Sequence, residues 1–408
     1  MEDRELYTKI LGIERPWLIE RVELKMGDGQ VHVYLAHAED WQWACARCGA
    51  ECGLYDHQPE RQWRHLDTCQ YETILHAPVP RSNCPAHGPL VVQLPWAEPS
   101  SRFTALFEAL AISWLRAASQ QAVAGKLKLT WDEIHNIMER AVKRGLERRQ
   151  AEPLTYLGVD EKAYRKGHRY LTIVNDLERS RVLYVAPERK QSSLDQFWPT
   201  LSLEQRAGIK AVAMDMWEPY VASARAHLED GASKIVFDKF HIAQHLGNAV
   251  DKVRRREHKS LLAEGDDFLK GSKYDWLRHP ANFARKQWRA FQTLRESALQ
   301  TARAWALKET AMCLFHYHYR GPAENHFRRW FFWATHSRLQ PMIAVARMLK
   351  QHLANILTYC KHRITNAASE SINSKIQWIK YTARGFRNQQ NFINAIYFHC
   401  GGLDLSPT

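Results

Sequence analysis

Leu157-Gly158-Val159-Asp160-Glu161, Arg169 to Asp176 (RYLTIVND) and Arg181 to Ala186 (RVLYVA) decide the fold. The first run ends in acids, the other two are rich in β-branched and aromatic residues, and each is bounded by charged or turn residues, which predicts three successive strands. Leu194, Phe197, Trp198 and Leu201 then recur at helical spacing, predicting a helix over Ser193 to Leu203. Ile209 to Asp215 (IKAVAMD) is short and apolar, as a strand buried on both faces would be. Pro219 to Leu228 reads as a helix, and Ser233 to Asp238 as a further strand.

Three antiparallel strands followed by βαβ units predict an α/β, RNase H-like sheet. Its strand ends would set Asp160 and Asp215 side by side. Neighbouring carboxylates repel unless a cation lies between them, and hard oxygen donors of this kind select Mg²⁺ or Mn²⁺. Two such ions suit in-line displacement at a phosphodiester. A third carboxylate is required and should come from late in the chain.

Four pieces carry a resemblance: Gly158 to Glu161, Met214 to Trp217, Phe237 to His241, and Asn366 to Ile376 (NAASESINSKI). Together they resemble the ISL3 family of bacterial insertion-sequence transposases, over nearly the whole chain. The resemblance implies a DDE enzyme whose acids fall on Asp160, Asp215 and Glu370. Where the family often has glycine beside the third acid, this chain has Ser369 and Ser371.

At 408 residues the chain is long enough for two or three domains. Its formal net charge of +13 and sequence pI of about 9.3 favour a polyanionic partner, nucleic acid before membrane. The start, Met1-Glu2-Asp3-Arg4-Glu5, is acidic and no apolar leader follows, and no run has the length to span a bilayer. The expectation is a cytoplasmic protein, nucleoid-associated when bound to DNA. Five of the 8 cysteines lie between Cys45 and Cys84, which in a reducing compartment points to metal rather than disulfides.

Trp17 to Lys25 and Val31 to His37 predict two strands joined at Gly27-Asp28-Gly29. Cys45-x2-Cys48-Gly49 and Cys84-x2-His87-Gly88 are two knuckles, whose four N/S donors suit a closed structural Zn²⁺ site. Cys52, His57, His65 and Cys69 are competing donors nearby, although the family resemblance also selects Cys45, Cys48, Cys84 and His87. Between the knuckles, Arg61 to Asp67 and Tyr71 to Val79 predict strands of a small β-rich finger.

Pro95 to Ser101 has linker composition. Three helices follow, over Phe103 to Ala117, Ser119 to Leu127, and from Thr130 to about Arg144, the last opened by the capping box Thr130-Trp131-Asp132-Glu133. This layout predicts a helix-turn-helix, with Trp131, Ile134, Ile137, Met138 and Ala141 as the buried stripe. His135, Asn136 and Arg140 lie off that stripe and are candidates for base contacts; Lys126 and Lys128 are candidates for phosphate contacts.

After the second catalytic aspartate, Asp238-x2-His241 has two readings. It is an auxiliary pair near the scissile phosphate, as in several transposase groups it resembles, or Asp238 simply caps a helix. From His241 to about Tyr359 the pattern is helical, with a basic run over Val250 to Lys259 and long amphipathic stretches over Phe283 to Lys308 and Gln340 to Tyr359. Trp330 to Trp333 reads as core. Thr365-Asn366 signals a helix start, and Ala367 to Lys380 continues it. There Glu370, Asn373 and Gln377 share a face, ringed by Lys375, Lys380, Arg384 and Arg387, of which Lys375, Lys380 and Arg384 are taken as DNA-binding candidates. Phe392 to Phe398 resumes a helix, and the last residues are expected to be mobile.

The expected organisation is a zinc-binding β domain over 1–95, a helix-turn-helix domain over 96–150, and a catalytic domain over 151–408 with a helical insertion at about 255–345. The expected function is a DDE transposase that binds the inverted-repeat ends of its element as double-stranded DNA. Such an enzyme cleaves and joins with Mg²⁺ (or Mn²⁺) and works as a homo-oligomer on element ends and target. The competing readings are a non-catalytic zinc/helix-turn-helix regulator and a nuclease that cuts without joining.

Overall fold

The computed structural model describes residues 3–165, 167, 169–297, 299–364 and 367–407. The chain divides into two compact units, one comprising residues 1–149 with 403–408 and the other residues 150–402.

The first unit is built on a sheet of β1 (Trp17–Lys25), β2 (Gln30–His37), β6 (Glu72–Cys84) and β5 (Leu54–Arg64) in that order, with β7 (Gly88–Val91) paired to β6. β1 and β2 form the expected antiparallel hairpin, turning through Gly29 at φ 67°. A short ribbon of β3 (Trp43–Ala44) and β4 (Glu51–Cys52) carries the first knuckle. Alternation along the strands turns Trp17, Val33, Leu35, Trp63 and Leu75 into one core. Trp96 joins it, its ring 4.7 Å from that of Trp17. The supposed linker at Pro95 to Ser101 is therefore packed structure: Trp96, Ala97 and Ser101 are buried, and the Ser101 hydroxyl donates to Glu108.

Three helices follow, Ala105–Leu115, Gln120–Leu127 and Trp131–Glu147. Ser119 caps the second, Lys128 turns the chain in the left-handed region at φ 55°, and Thr130 with Glu133 forms the capping box that the sequence signals. The tail corrects the expectation of mobility. Leu405 is buried, Arg144 donates to its carbonyl at 2.8 Å, and Arg148 donates to the Ser406 carbonyl at 2.7 Å. A composition that reads as a frayed end is held by Arg144 of the third helix and Arg148 just past its end.

The second unit holds a mixed sheet in the order β10 (Arg181–Pro187), β9 (Arg169–Asp176), β8 (Tyr156–Arg165), β11 (Ala211–Met214), β12 (Ile235–Phe237). β8, β9 and β10 are antiparallel to one another, and β11 and β12 run parallel to β8. Every residue of β11 and β12 is buried, which is why that stretch reads as continuously apolar. The expected helix over Ser193 to Leu203 is shorter: Gln191–Asp195 is helical, and a 3₁₀ turn at Trp198–Thr200 follows, with Pro199 removing a backbone donor. Glu218–His227 forms the helix expected after Asp215.

Beyond β12 a 25-residue helix, Lys239–Ala263, begins the helical region. The run expected over Phe283 to Lys308 is two helices, Arg285–Glu296 and Gln300–Met312. The second restarts because the Glu257 carboxylate accepts from the Gln300 and Thr301 amides at 2.6 and 2.7 Å. Within the aromatic cluster Trp330 is buried, whereas Phe332 and Trp333 are exposed, a correction to its reading as core. The helix Ala367–Thr382 packs on β8, and Gln389–Cys400 closes the unit against β10. The helix-start signal Thr365-Asn366 lies outside the described residues. Among the described residues, no helix is long and apolar enough to cross a membrane.

Candidate functional site

The two knuckles converge. Cys48 Sγ lies 3.8 Å from Cys84 Sγ, and His87 Nδ1 lies 3.7 Å from Cys45 Sγ and 3.5 Å from Cys84 Sγ. Tetrahedral zinc with bonds of about 2.3 Å to sulfur and about 2.0 Å to nitrogen would separate its donors by roughly 3.5–3.8 Å. Gly49 and Gly88 take φ of 74° and 70°, the left-handed turns that let the loops fold back onto their cysteines. Contact with His87 pulls the Cys84 thiol down to about 6, poising it to ligate as a thiolate. Among the described residues, these four, and none of the competing donors, form a metal-capable cluster. His57 faces His37 at 2.6 Å, His65 meets the Thr104 hydroxyl at 2.9 Å, and Cys52 turns its thiol to the Ala50 carbonyl.

The third helix of the trio keeps Ile134, Ile137, Met138 and Ala141 buried, as its stripe requires. Three assignments on it change. Trp131 is exposed rather than buried. His135 is buried, its ring stacked 4.9 Å from the Trp131 indole one turn earlier. Arg140 is drawn inward by Glu108, a carboxylate only 1% exposed on the first helix, which also draws Arg144. A buried carboxylate must be paired, so Arg140 serves the fold first and is a poor base reader. Asn136 remains exposed, and Lys128 is exposed while pairing with Glu72 at 3.1 Å.

In the second unit the parallel pairing of Ala213 with Gly158 sets Asp215 and Asp160, each two residues further on, beside one another. Asp215 lies just past the end of β11, whereas Asp160 is in the middle of β8, which runs on to Arg165 instead of ending in acids as expected. Asp160 Oδ1 accepts from the Glu161 amide at 2.7 Å, and its Oδ2 accepts from Asn373 Nδ2 at 2.6 Å. Asp215 Oδ1 accepts from the Trp217 amide at 3.2 Å. Burial pushes the Asp215 carboxyl up to about 6, helped by the negative charges of Glu161 and Asp160 and opposed by His241. A half-buried acid beside other acids is a place where a cation would be welcome.

Glu161 points away from Asp160, as strand alternation dictates, and is held by Arg189 Nη1 at 2.8 and 2.9 Å. Arg189 is itself sandwiched 4.6 Å from the Tyr170 ring and 4.4 Å from that of Trp217. Asp238 is buried and caps the helix Lys239–Ala263 through the Phe240 amide at 3.2 Å, while His241, on the first turn, is near enough to influence Asp215. Both readings of that pair therefore have physical content.

Glu370 is exposed on the helix that packs on β8, three residues before Asn373 and so on the same face. Ser369 is buried and accepts from Asn175 Nδ2 of β9 at 3.2 Å, and Lys162 Nζ donates to the Asn373 carbonyl at 3.3 Å. The serine that departs from the family pattern thus anchors the helix start to the sheet. Among the described residues, Asp160, Asp215 and Glu370 do not bring three carboxylate oxygens within 4.8 Å of one another. Lys380 Nζ donates to the Ala163 carbonyl at 3.0 Å, whereas Lys375 and Arg384 are exposed. Sequence reasoning gave Arg189 no role and left Asn373 as a mere face-mate of Glu370. The only early signal was the helical phase shared by Asn373 and Glu370.

Three family descriptions match consecutive parts of the chain. Residues 41–87 match the zinc-finger of transposase IS204/IS1001/IS1096/IS1165, residues 92–142 the helix-turn-helix domain of transposase family ISL3, and residues 157–396 the ISL3 DDE transposase. The chain is 29% identical over 425 residues to the transposase for insertion sequence element IS1557 of Mycobacterium tuberculosis, covering 96% of this chain and 94% of that one. It is 29% identical over 397 residues to the transposase for insertion sequence element IS1001 of Bordetella parapertussis, covering 96% and 97% respectively.

Proposed function

Because the chain belongs to the ISL3 family of transposases, we propose that Asp160, Asp215 and Glu370 are the acids with which it cuts and joins the ends of its element. The observation that carries the assignment is Asn373, which bonds Asp160 at 2.6 Å from the same helix face as Glu370 and so ties the late acid to the early ones. The strand order, three antiparallel strands and then two parallel ones, supports an RNase H-like core.

The donor set fits Mg²⁺ or Mn²⁺: two carboxylates on adjacent strands, one raised by burial, with Glu161 already neutralised by Arg189. Asp160, Asp215 and Glu370 would hold two such ions, which when bound supply activation of an oxygen nucleophile and charge stabilisation of the leaving 3′-oxygen. The chain's own residues prepare that site. Asn373 and the Glu161 amide fix the rotamer of Asp160, and the Trp217 amide fixes Asp215. Water attack would release the element's 3′ ends, and those 3′-hydroxyls would attack target DNA, with no covalent protein–DNA intermediate. Lys375, Lys380 and Arg384 flank Glu370 as candidate phosphate contacts, with Asp238 and His241 as candidate auxiliaries.

Cys45, Cys48, Cys84 and His87 would hold one structural Zn²⁺ with no open position, so zinc would take no part in the chemistry. The zinc finger and the helix-turn-helix would read the inverted repeats, with Asn136 and Lys128 the surviving contact candidates. Two ends imply at least two copies on DNA, in a soluble cytoplasmic protein. The test is a labelled end duplex incubated with Mg²⁺, and pre-cut ends incubated with target. Wild type should cut the first and join the second, and Asp160→Asn should do neither while still shifting the duplex. Cutting by Asp160→Asn overturns the acid assignment; cutting without joining by wild type turns the reading toward a nuclease.

A further inference from the structure

Past the acids, the far end of β8 opens onto a trough of about 800 Å³ whose wall carries Arg169, Arg189, Lys190 and Arg387 against a single acid, Glu188. Two of the four cations are spent. Lys190 pairs with Glu188 at 2.7 Å, and Arg189 is clamped by Glu161 and two aromatic rings. Arg169 and Arg387 are exposed, and neither has a carboxylate partner among the described residues.

Their positions are fixed from below. Tyr164 is buried against Phe392 with ring centroids 5.9 Å apart, and its hydroxyl donates to the Arg387 carbonyl at 2.8 Å. Arg169 opens β9, paired across the hairpin with Arg165. The tyrosines of the trough are engaged, Tyr164 by that bond and Tyr170 by Arg189, so the trough offers charge rather than a stacking platform. A polyanion with regularly spaced charges fits it; a free base does not.

The trough is also in register with the acids. Tyr164 lies four residues beyond Asp160 on β8, at most about 13 Å at roughly 3.3 Å per residue, because the register is irregular between Ala163 and Arg165. That is roughly four base pairs of duplex at 3.4 Å each. We infer that this trough carries the DNA backbone about four base pairs from the scissile phosphate, with Arg169 and Arg387 each neutralising one phosphate. The inference rests on Asp160 marking the reaction centre, as proposed above.

The test uses the full chain and an end duplex whose cleavage position has been mapped. Single phosphates are replaced by neutral methylphosphonates at each position within eight base pairs of the cut. Wild type should lose affinity at one or two positions about four base pairs away on one side. Arg169→Gln with Arg387→Gln should show no further loss at those same positions, because the contact is already gone. The slope of log affinity against log salt should fall by about 2 in that variant, and Arg169→Lys with Arg387→Lys should restore it. An unchanged slope, or losses that remain additive at every position, overturns the inference. Asp160→Asn, run on the same duplexes, separates the two claims: cutting by it defeats the acid assignment, while the phosphate map still reports on the trough.

Discussion

Replacing Asp215 by asparagine should make the protein more stable while abolishing its chemistry. In the folded chain the Asp215 carboxyl is pushed up to about 6 from its ordinary 3.8, chiefly because half-burial strips water from it. The folded value is the higher one, so the penalty is absent below pH 3.8, grows between 3.8 and 6, and is fully present above 6. At 1.36 kcal/mol for each tenfold change in proton affinity, the anion costs about 3 kcal/mol at pH 7 and about half of that at pH 5. Asparagine removes the charge yet keeps an oxygen to accept from the Trp217 amide, so Asp215→Asn should recover most of that penalty. For a unit of this size that is an upward shift of roughly 6–12 °C in melting temperature at neutral pH. The assay is calorimetry of the zinc-loaded chain without other added divalent ions, at pH 7 and pH 5. A variant that melts at or below wild type at pH 7, or whose advantage fails to shrink at pH 5, would refute the placement of Asp215 as a half-buried acid whose charge is costly in the folded chain.

Asn373→Ala removes a hydrogen bond to a carboxylate, an interaction of about 1.5–3 kcal/mol. Single-turnover cutting of saturated ends should therefore slow by about 10- to 100-fold with end binding intact, and an unchanged rate would remove Asn373 from the account. Cys84→Ser should drop bound zinc, read by metal analysis, from one ion per chain to none, and should loosen the knuckles, read as hydrogen exchange at residues 43–52 and 84–91; protection without metal would show the loops to be self-supporting. Arg144→Ala breaks a buried network with Glu98, Glu108 and the Leu405 carbonyl. It should cost about 3–5 kcal/mol, read as a lower melting temperature; a loss below about 1 kcal/mol would mean Glu108 finds its charge balance in Arg140 alone. Deleting residues 403–408 should also lower the melting temperature, because it exposes the pocket of Leu405.

What could be read from the residues was what the chain writes locally. β9 lies where its β-branched run stands, the capping box at Thr130 forms, and the knuckle spacing brought four donors together, because each is set by neighbours within a few positions. What could not be read depends on partners far along the chain. The restart at Gln300 needs Glu257, 43 residues away, and a continuous amphipathic pattern does not show it. His135 and Arg140 sit off the apolar stripe, yet one is covered by Trp131 and the other is claimed by buried Glu108. Periodicity reports where apolar residues point and is silent about a buried acid that recruits arginines. The Asn373–Asp160 bond spans 213 residues, and Arg189 reaches Glu161 across 28. The juxtaposition of Asp160 and Asp215 was legible because each follows a short run of strand character; the continuation of β8 past Asp160 to Arg165, and the groups that orient the two acids, were not.

Among the described residues Asp160 and Asp215 are each held by a hydrogen bond and the Glu370 carboxylate is not, so Glu370 is where the central claim is most exposed. The decisive measurement is single-turnover cleavage of an end duplex by Glu370→Gln in Mg²⁺ and in Mn²⁺, with end binding measured on the same preparation. Loss of cutting by at least about a thousandfold in Mg²⁺, the scale on which removing an essential catalytic group acts, with binding retained, is the expected result. Cutting at the wild-type rate in both metals would mean that the third acid lies elsewhere and that the helix Ala367–Thr382 serves the fold rather than the reaction.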